Sequence, residues 1–447
     1  MIVNEPSGHL VVIDSSAYGL EFLAAAKQVA SRVTFVSSEL RRAMYARHPR
    51  FDELVGAVDE LIRIPDPTDS EALTELLGEI HARHPVSGAV SVLDVVVPAL
   101  ADAAERLGIR YSNATAVRTT RQKDRCREAL DRAGVASARF RRVADPTELA
   151  AAAEAVGFPL VLKPSSGSAS LFASVAGDMS ELTLAWDRFV AGSAALHPRL
   201  RAAYGTAALI EQYLGGSLLS YELLVRDGRA YPVSVNERMR YAPDETLELG
   251  TVVPADLPPE TVRSVQEYGQ QVIDALGLDF GLCHMEIILT PDGPRLLEVN
   301  PRLAGGIEAL TLPLAWGFDS FHQMALLHLG HEPRPWRGTP DGVVMTHAVC
   351  SVADGTVAAD FDPGRARADL GDLVHVLDVR VRPGEPVPGL RTEHGWLGWV
   401  IVHGASAAAV AASVGQALRI LGKHLGLTLV DGTDPAQRAP LTTDWEQ

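Results

Sequence analysis

Between residues 283 and 300 the chain spells out a hairpin that leaves little freedom. Cys283-His284-Met285-Glu286-Ile287-Ile288-Leu289-Thr290 and Arg295-Leu296-Leu297-Glu298-Val299-Asn300 are β-rich runs on either side of Pro291-Asp292-Gly293-Pro294, a sequence that turns the backbone. The runs therefore pair antiparallel about Asp292, with Glu286 opposite Glu298 and His284 opposite Asn300. Strand side chains alternate with period two, so these four share one face, and Cys283, Met285, Ile287, Leu297 and Val299 fill the other. Two directly opposed carboxylates repel each other. A bound cation reverses that sign: two carboxylates and an amide carbonyl are hard oxygen donors, the set Mg²⁺ or Mn²⁺ prefers when substrate phosphates complete the octahedron. Zinc fits less well, with one histidine and no cysteine on that face. A solvated polar face that tolerates opposed acids is an equal reading of the hairpin alone.

Around this hairpin lie 447 residues, enough for about three domains. Early on, β-rich runs (His9 to Ile13, Val33 to Val36, Leu61 to Ile64, Ala89 to Val92) alternate with helical patterns (Leu20 to Ala30, Ser70 to Arg83), as successive βαβ units do. A small parallel sheet follows, with ligands expected at its strand ends. Asp14-Ser15-Ser16 reads as a helix cap rather than an anion site, since no Gly-x-Gly-x-x-Gly follows the strand. Residues 111–120 are polar and unpatterned, and a boundary is placed there. Beyond it come a helix (Thr120 to Ala133), a strand (Ala138 to Val143), a helix (Pro146 to Val156), a strand ending at Lys163-Pro164, strands at 208–213, 219–225 and 230–235, and a helix from Gln266 to Leu276. The prolines of His331-Glu332-Pro333-Arg334-Pro335 mark a second break, followed by β-rich runs and an alanine-rich helix ending near Leu421. A net charge of −16 disfavours nucleic acid as a partner. Three scattered cysteines, no Cys-x-x-Cys, no signal-like start and no long apolar run point to a cytoplasmic protein without a membrane partner.

Only four of the 40 basic residues are lysines: Lys27, Lys123, Lys163 and Lys423. Lys163 ends an apolar strand and precedes Pro164-Ser165-Ser166-Gly167-Ser168-Ala169-Ser170, a small-residue loop whose N–H groups and hydroxyls can fold over phosphates. It is not a Walker A loop. Lys123 lies in the helical Arg121-Gln122-Lys123-Asp124-Arg125. In an arginine-rich chain, lysine at these places suggests that arginine is unsuitable there.

These residues, in this order, resemble the ATP-grasp superfamily of carboxylate–amine ligases. The resemblance implies an α/β chain with an ATP-grasp core: an N-terminal parallel βαβ domain (1–115), a two-part ATP-grasp domain (116–332, lid about 140–213) and a C-terminal β-rich domain (333–447). It implies that Lys123 and Lys163 hold ATP, that Ser166, Gly167 and Ser168 lie in a flexible triphosphate loop, and that Glu211-Gln212-Tyr213 is the hinge strand whose backbone holds adenine. Glu286, Glu298 and Asn300 match magnesium ligands, and Arg302 of Asn300-Pro301-Arg302 the arginine on the acyl phosphate. Leu282-Cys283-His284-Met285-Glu286, Glu248-x-Gly250…Pro254 and the β-rich C-terminus are most similar to the L-amino-acid ligases. There, Leu218 stands where relatives hold ribose with a glutamate, and Thr251 where they often carry histidine.

The expected reaction joins a small-molecule carboxylate, as an acyl phosphate made from ATP, to an amine, with amino acids supplying one or both. Arg302 with Gly305 and Gly306 offers a carboxylate cradle. Glu248 is a substrate contact, and Glu222 and His284 are candidates to contact the substrate or support its ligands. Two rivals remain: a carboxyphosphate-forming carboxylase, and a degenerate ATP-binding protein. A homodimer is left open.

Overall fold

The computed structural model describes residues 5–46, 48–167, 171–196, 205–333, 338–391 and 395–439. Strands β1 (His9–Ile13), β2 (Arg32–Ser38), β3 (Glu60–Ile64) and β4 (Gly88–Val90) form a parallel sheet in the order β3-β2-β1-β4. From Leu10 to Ile13, β1 is apolar because both of its faces are covered. Leu10 and Val12 pack with helix Phe22–Val29, and Val11 and Ile13 with helices Ser70–Arg83 and Val97–Leu107. After β1 it is Ser16 that closes the turn, its Oγ accepting from the Gly19 N–H at 3.1 Å. Asp14 is buried and accepts from the Ser38 hydroxyl at 2.5 Å.

The stretch 111–120 is not irregular: residues Ala114–Arg121 are helical. Asn113 caps the helix by accepting from the Ala116 N–H at 3.0 Å, and the inward face is built from Ala114, Ala116, Val117 and Thr120, too small and polar to show an apolar period. The chain breaks at Gln122, so the next helix begins at Lys123 and runs to Arg132.

A second, antiparallel sheet is made of β5 (Phe140–Val143), β6 (Leu160–Pro164), β7 (Ser174–Ala176) and β8 (Ala208–Gln212), in the order β5-β8-β6-β7. Helices Leu149–Val156 and Met179–Ala195 cover one face through Ala152, Val156, Leu182, Trp186 and Phe189. The other face is left to the site. Helix Met179–Ala195 was not anticipated from sequence.

The largest sheet runs through β9 (Ser217–Arg226), β10 (Arg229–Tyr241), β11 (Asp244–Val253), β12 (Phe280–Thr290), β13 (Gly293–Asn300) and β14 (Val343–Cys350), then, past the short pair β15 (Gly355–Thr356) and β17 (Pro386–Val387), β16 (Val376–Val379) and β18 (Trp396–Gly404). Its order is β13-β12-β9-β10-β11-β14-β18-β16, so the strands after residue 333 continue the same sheet rather than found a new one. Helix Pro259–Leu276 packs on one face of β9 and β12 around Tyr221, Met285, Val272 and Ile273. Leu224, Val233, Phe280 and Leu282 turn the other face toward the N-terminal unit. Among the described residues no helix is long and apolar enough to cross a membrane, and Cys126, Cys283 and Cys350 are buried free thiols.

Candidate active site

A cavity of about 470 Å³ opens between the four-stranded and eight-stranded sheets, with the loop after β4 at one end. Lys123, Lys163, Ser166, Gly167, Glu211, Gln212, Tyr213, Glu248, His284, Glu286, Glu298, Asn300, Arg302, Gly305 and Gly306 all line it. Of the other site residues expected from sequence, Ser168 lies outside the described residues, and Glu222 does not line the cavity but stands behind His284.

The hairpin pairs Glu286 with Glu298 and His284 with Asn300, the expected register, across a turn at Pro291-Asp292. One placement differs. The register slips between Glu286 and Ile287, which pairs with Leu296. This bulge makes Leu297 the extra residue, so Leu296, not Leu297, enters the core with Met285 and Val299, and Leu297 lines the cavity.

On the lysine side, three charges are buried together. Arg127 Nε lies 2.7 Å from Glu211 Oε1, and the Lys163 ammonium pairs with the other oxygen of the same carboxylate. Burial pushes the Lys163 ammonium below its usual range, Glu211 only partly opposing this. Burial would raise Glu211, but the Arg127 and Lys163 charges hold it low. The Glu211 side chain is thus committed to this network. Arg127 also donates to the bulged Leu297 carbonyl at 2.8 Å, tying the lid sheet to the hairpin. Where the chain passes from the lid toward β9, Gly216 has φ +148°, and a side chain there would meet the Leu289 carbonyl oxygen at 2.1 Å.

On the hairpin side, the Lys123 ammonium lies 2.8 Å from Glu298 Oε2 and donates to the Gly167 carbonyl at 3.2 Å, joining hairpin to loop. Glu286 faces His284 Nε2 at 3.3 Å, and His284 Nδ1 lies 2.6 Å from Glu222. Burial would lower the imidazole, but the Glu222 carboxylate outweighs it and pushes His284 up to about 10. Burial would raise Glu286, yet the His284 hydrogen bond and the Arg238 charge bring it down to about 2. The Asn300 Oδ1 is buried without a hydrogen-bond partner among the described residues, an acceptor that a cation would satisfy. The donor set of two carboxylates and a spare amide oxygen fits Mg²⁺ or Mn²⁺.

At the far end, Arg302 forks onto Asp94, Nε to Oδ1 at 2.6 Å and a terminal nitrogen to Oδ2 at 2.5 Å, and donates to the Leu303 carbonyl at 2.7 Å. This fixes its plane. Arg238 lies between Glu248 and Glu308, and the Thr251 hydroxyl donates to Glu308 at 2.7 Å. Burial, offset by Arg238 and reinforced by the Glu286 and Glu308 charges, pushes Glu248 up to about 7.

Sequence reasoning missed Asp94, Arg127, Arg238, Arg240, Glu245 and Glu308 in this lining. Arg127 carried a signal, four residues after Lys123 and so on the same helix face. Asp94 also carried one, just past a parallel strand end. Of the other four, Arg238, Arg240 and Glu245 sit in strands and Glu308 in the short 3-10 helix Gly306–Leu310, with nothing local to distinguish them.

Comparison with known proteins fits this geometry. Residues 156–309 match the ATP-grasp domain and 23–109 the ATP-grasp N-terminal domain, together more than half of the chain. The chain is 30% identical over 302 residues to formate-dependent phosphoribosylglycinamide formyltransferase of Synechococcus sp. (strain RCC307), covering 66% of this chain and 69% of that protein. It is 25% identical over 244 residues to alanine–anticapsin ligase of Bacillus subtilis (strain 168), covering 51% of this chain and 50% of that protein. It thus spans about half the length of that ligase. The crystal structure of L-amino acid ligase from Bacillus licheniformis shares the fold at TM-score 0.74 and 19% identity, over 93% of this chain and 98% of that one. With both of its characteristic domains matched in sequence and the whole architecture matched in space, the chain belongs to the ATP-grasp family.

Proposed function

We propose that this chain is an ATP-dependent ligase that activates a carboxylate, that of an amino acid, and joins it to an amine, releasing ADP and phosphate. A carboxylate oxygen attacks the γ-phosphorus as its bond to ADP breaks, giving an acyl phosphate. The amine nitrogen then attacks the acyl carbon, phosphate leaves with the C–O electrons, and the nitrogen gives up a proton. The observation that carries this reading is the convergence of Lys123, Lys163, Glu286, Glu298, Asn300 and Arg302 on one cavity.

In this reading Lys123 and Lys163 offset triphosphate charge, Ser166, Gly167 and Ser168 cover it, and Gln212 and Tyr213 border the adenine. Glu286, Glu298 and Asn300 would hold Mg²⁺ (or Mn²⁺), which when bound neutralises charge on the phosphates. Arg302, held in plane by Asp94, faces the reacting carboxylate with the Gly305-Gly306 backbone, and its charge stabilises the tetrahedral oxyanion. Glu248 and His284 border the substrates, and closure of the loop over the acyl phosphate excludes water. The division at about residues 115 and 332, with a lid over 140–213, belongs to the same proposal.

The relative named alanine–anticapsin ligase supports an amino acid as one partner. The test is a pairwise panel of amino acids and amines assayed for ATP-dependent phosphate release, with mass detection of the amide. Turnover that needs bicarbonate, or ATP binding without turnover on any pair, sinks the ligase reading.

A further inference from the structure

A nucleotide's pentose connects its base to its phosphates, so in the proposed site it lies between the segment 211–214 and the two lysines. The wall there is apolar: Leu218 and Ile288 are partners across β9 and β12 and both line the cavity. Neither can bond a hydroxyl. Polar groups arrive instead from the β10–β11 hairpin. Arg240 donates to the carbonyl of Gly216, two residues before Leu218, and pairs with Glu245 Oε2 at 2.6 Å. The Tyr213 hydroxyl donates to the same Oε2 at 3.0 Å. Glu245 is therefore pinned between the proposed adenine segment and the residue that anchors the start of β9, and it lines the cavity. Its Oε1 has no protein partner among the described residues. Thr246, the other polar residue beside it, spends its hydroxyl on Asp244 at 2.7 Å.

We propose that Glu245 is the acceptor for the ribose hydroxyls of the bound nucleotide, a carboxylate brought in from β11 to a wall where β9 presents leucine. The assignment rests on the nucleotide site proposed above. A carboxylate accepting from a neutral hydroxyl makes a charge-assisted bond, and its loss costs about ten- to a hundredfold in affinity.

The test is calorimetric titration of ATP, 2′-deoxy-ATP and 3′-deoxy-ATP, each with Mg²⁺, into wild type and Glu245→Gln, with no amino acid present. Glutamine keeps the size and the two accepted hydrogen bonds, and a thermal melt checks the fold. Wild type should prefer ATP over at least one deoxy analogue by about tenfold or more, and Glu245→Gln should lose ATP affinity by that factor and cease to discriminate. Equal affinity of wild type for all three nucleotides, or equal weakening of all three in the variant, overturns the assignment while leaving the nucleotide site standing. A wild type that binds none of them overturns the site itself.

Discussion

The lid wall and the hairpin wall face each other across one cavity and dispose of charge in opposite ways. On the wall of β6 and β8, Lys163 shares the single carboxylate of Glu211 with Arg127 of helix Lys123–Arg132, leaving one positive charge in surplus inside a network whose members are almost fully buried. On the hairpin, Glu298 meets one lysine, Lys123, while Glu286 and Glu222 share the single imidazole of His284, and the Asn300 Oδ1 has no partner among the described residues. One wall is closed by protein; the other is short of positive charge and of a donor. In the function proposed above, that difference gives each wall its partner: an anion by the lysines, a cation at the hairpin.

The strongest way to break the contrast is through Arg127, which belongs to both walls. Arg127→Met leaves Glu211 facing Lys163 alone and strands the Leu297 carbonyl, and should cost about 3–5 kcal/mol in denaturant unfolding. A loss below 1 kcal/mol would show that the lid network is not closed in this way. Glu298→Gln attacks the hairpin instead. Turnover should fall by about 10²–10³-fold, yet the melting temperature without metal should stay near that of wild type, because relieved repulsion with Glu286 offsets the lost Lys123 pair. A large drop in metal-free stability would make Glu298 a structural residue.

Two smaller effects sharpen the comparison within the hairpin. Leu296→Ala should destabilise by about 3 kcal/mol, since Leu296 is fully buried, whereas Leu297→Ala should cost less than about 1 kcal/mol and weaken nucleotide binding. The reverse ranking would mean the bulge is misplaced. Glu248 gives the smallest effect, and it depends on pH. Its folded pKa, about 7, lies above the ordinary 4.5. The folded state therefore binds its proton more tightly, and the linked stability is present below about pH 4.5 and lost as pH rises through 7. Glu248→Gln should accordingly exceed wild type by on the order of 1 kcal/mol at pH 8, with the advantage shrinking toward pH 4. No pH dependence in the difference would show that Arg238 fully compensates the carboxylate.

What was legible in the sequence follows from the range of the forces involved. The Glu286–Glu298 and His284–Asn300 pairs were readable because a turn and a two-residue period fix both ends of a hairpin locally. The bulge at Leu297 was not, since one inserted residue has no compositional mark; its carbonyl is held by Arg127, 170 residues away. The parallel N-terminal sheet was readable from its apolar runs, but helix Ala114–Arg121 was hidden because its inward face is alanine and threonine. Lys123 and Lys163 stood out by rarity. Glu245 and Glu308 acquire meaning only when tertiary packing sets them against Tyr213, Arg240, Arg238 and Thr251. Thr251, which looked like a lost imidazole, is a hydroxyl donor to a carboxylate that no local pattern announced.

The continuation of the eight-stranded sheet past residue 333 bears on truncation. β14 is hydrogen-bonded to β11 through Val252–Met345 and Val253–Val344, and β18 and β16 follow in turn. A chain cut at Glu332 would lose three strands from the sheet and uncover the amide edge of β11 together with buried Leu247, Leu249 and Val252. Such an apolar, unprotected edge invites pairing between molecules. The shortened protein would gather into aggregates, so β14, β18 and β16 act as the guard strands of the sheet that holds Glu245 and Glu248.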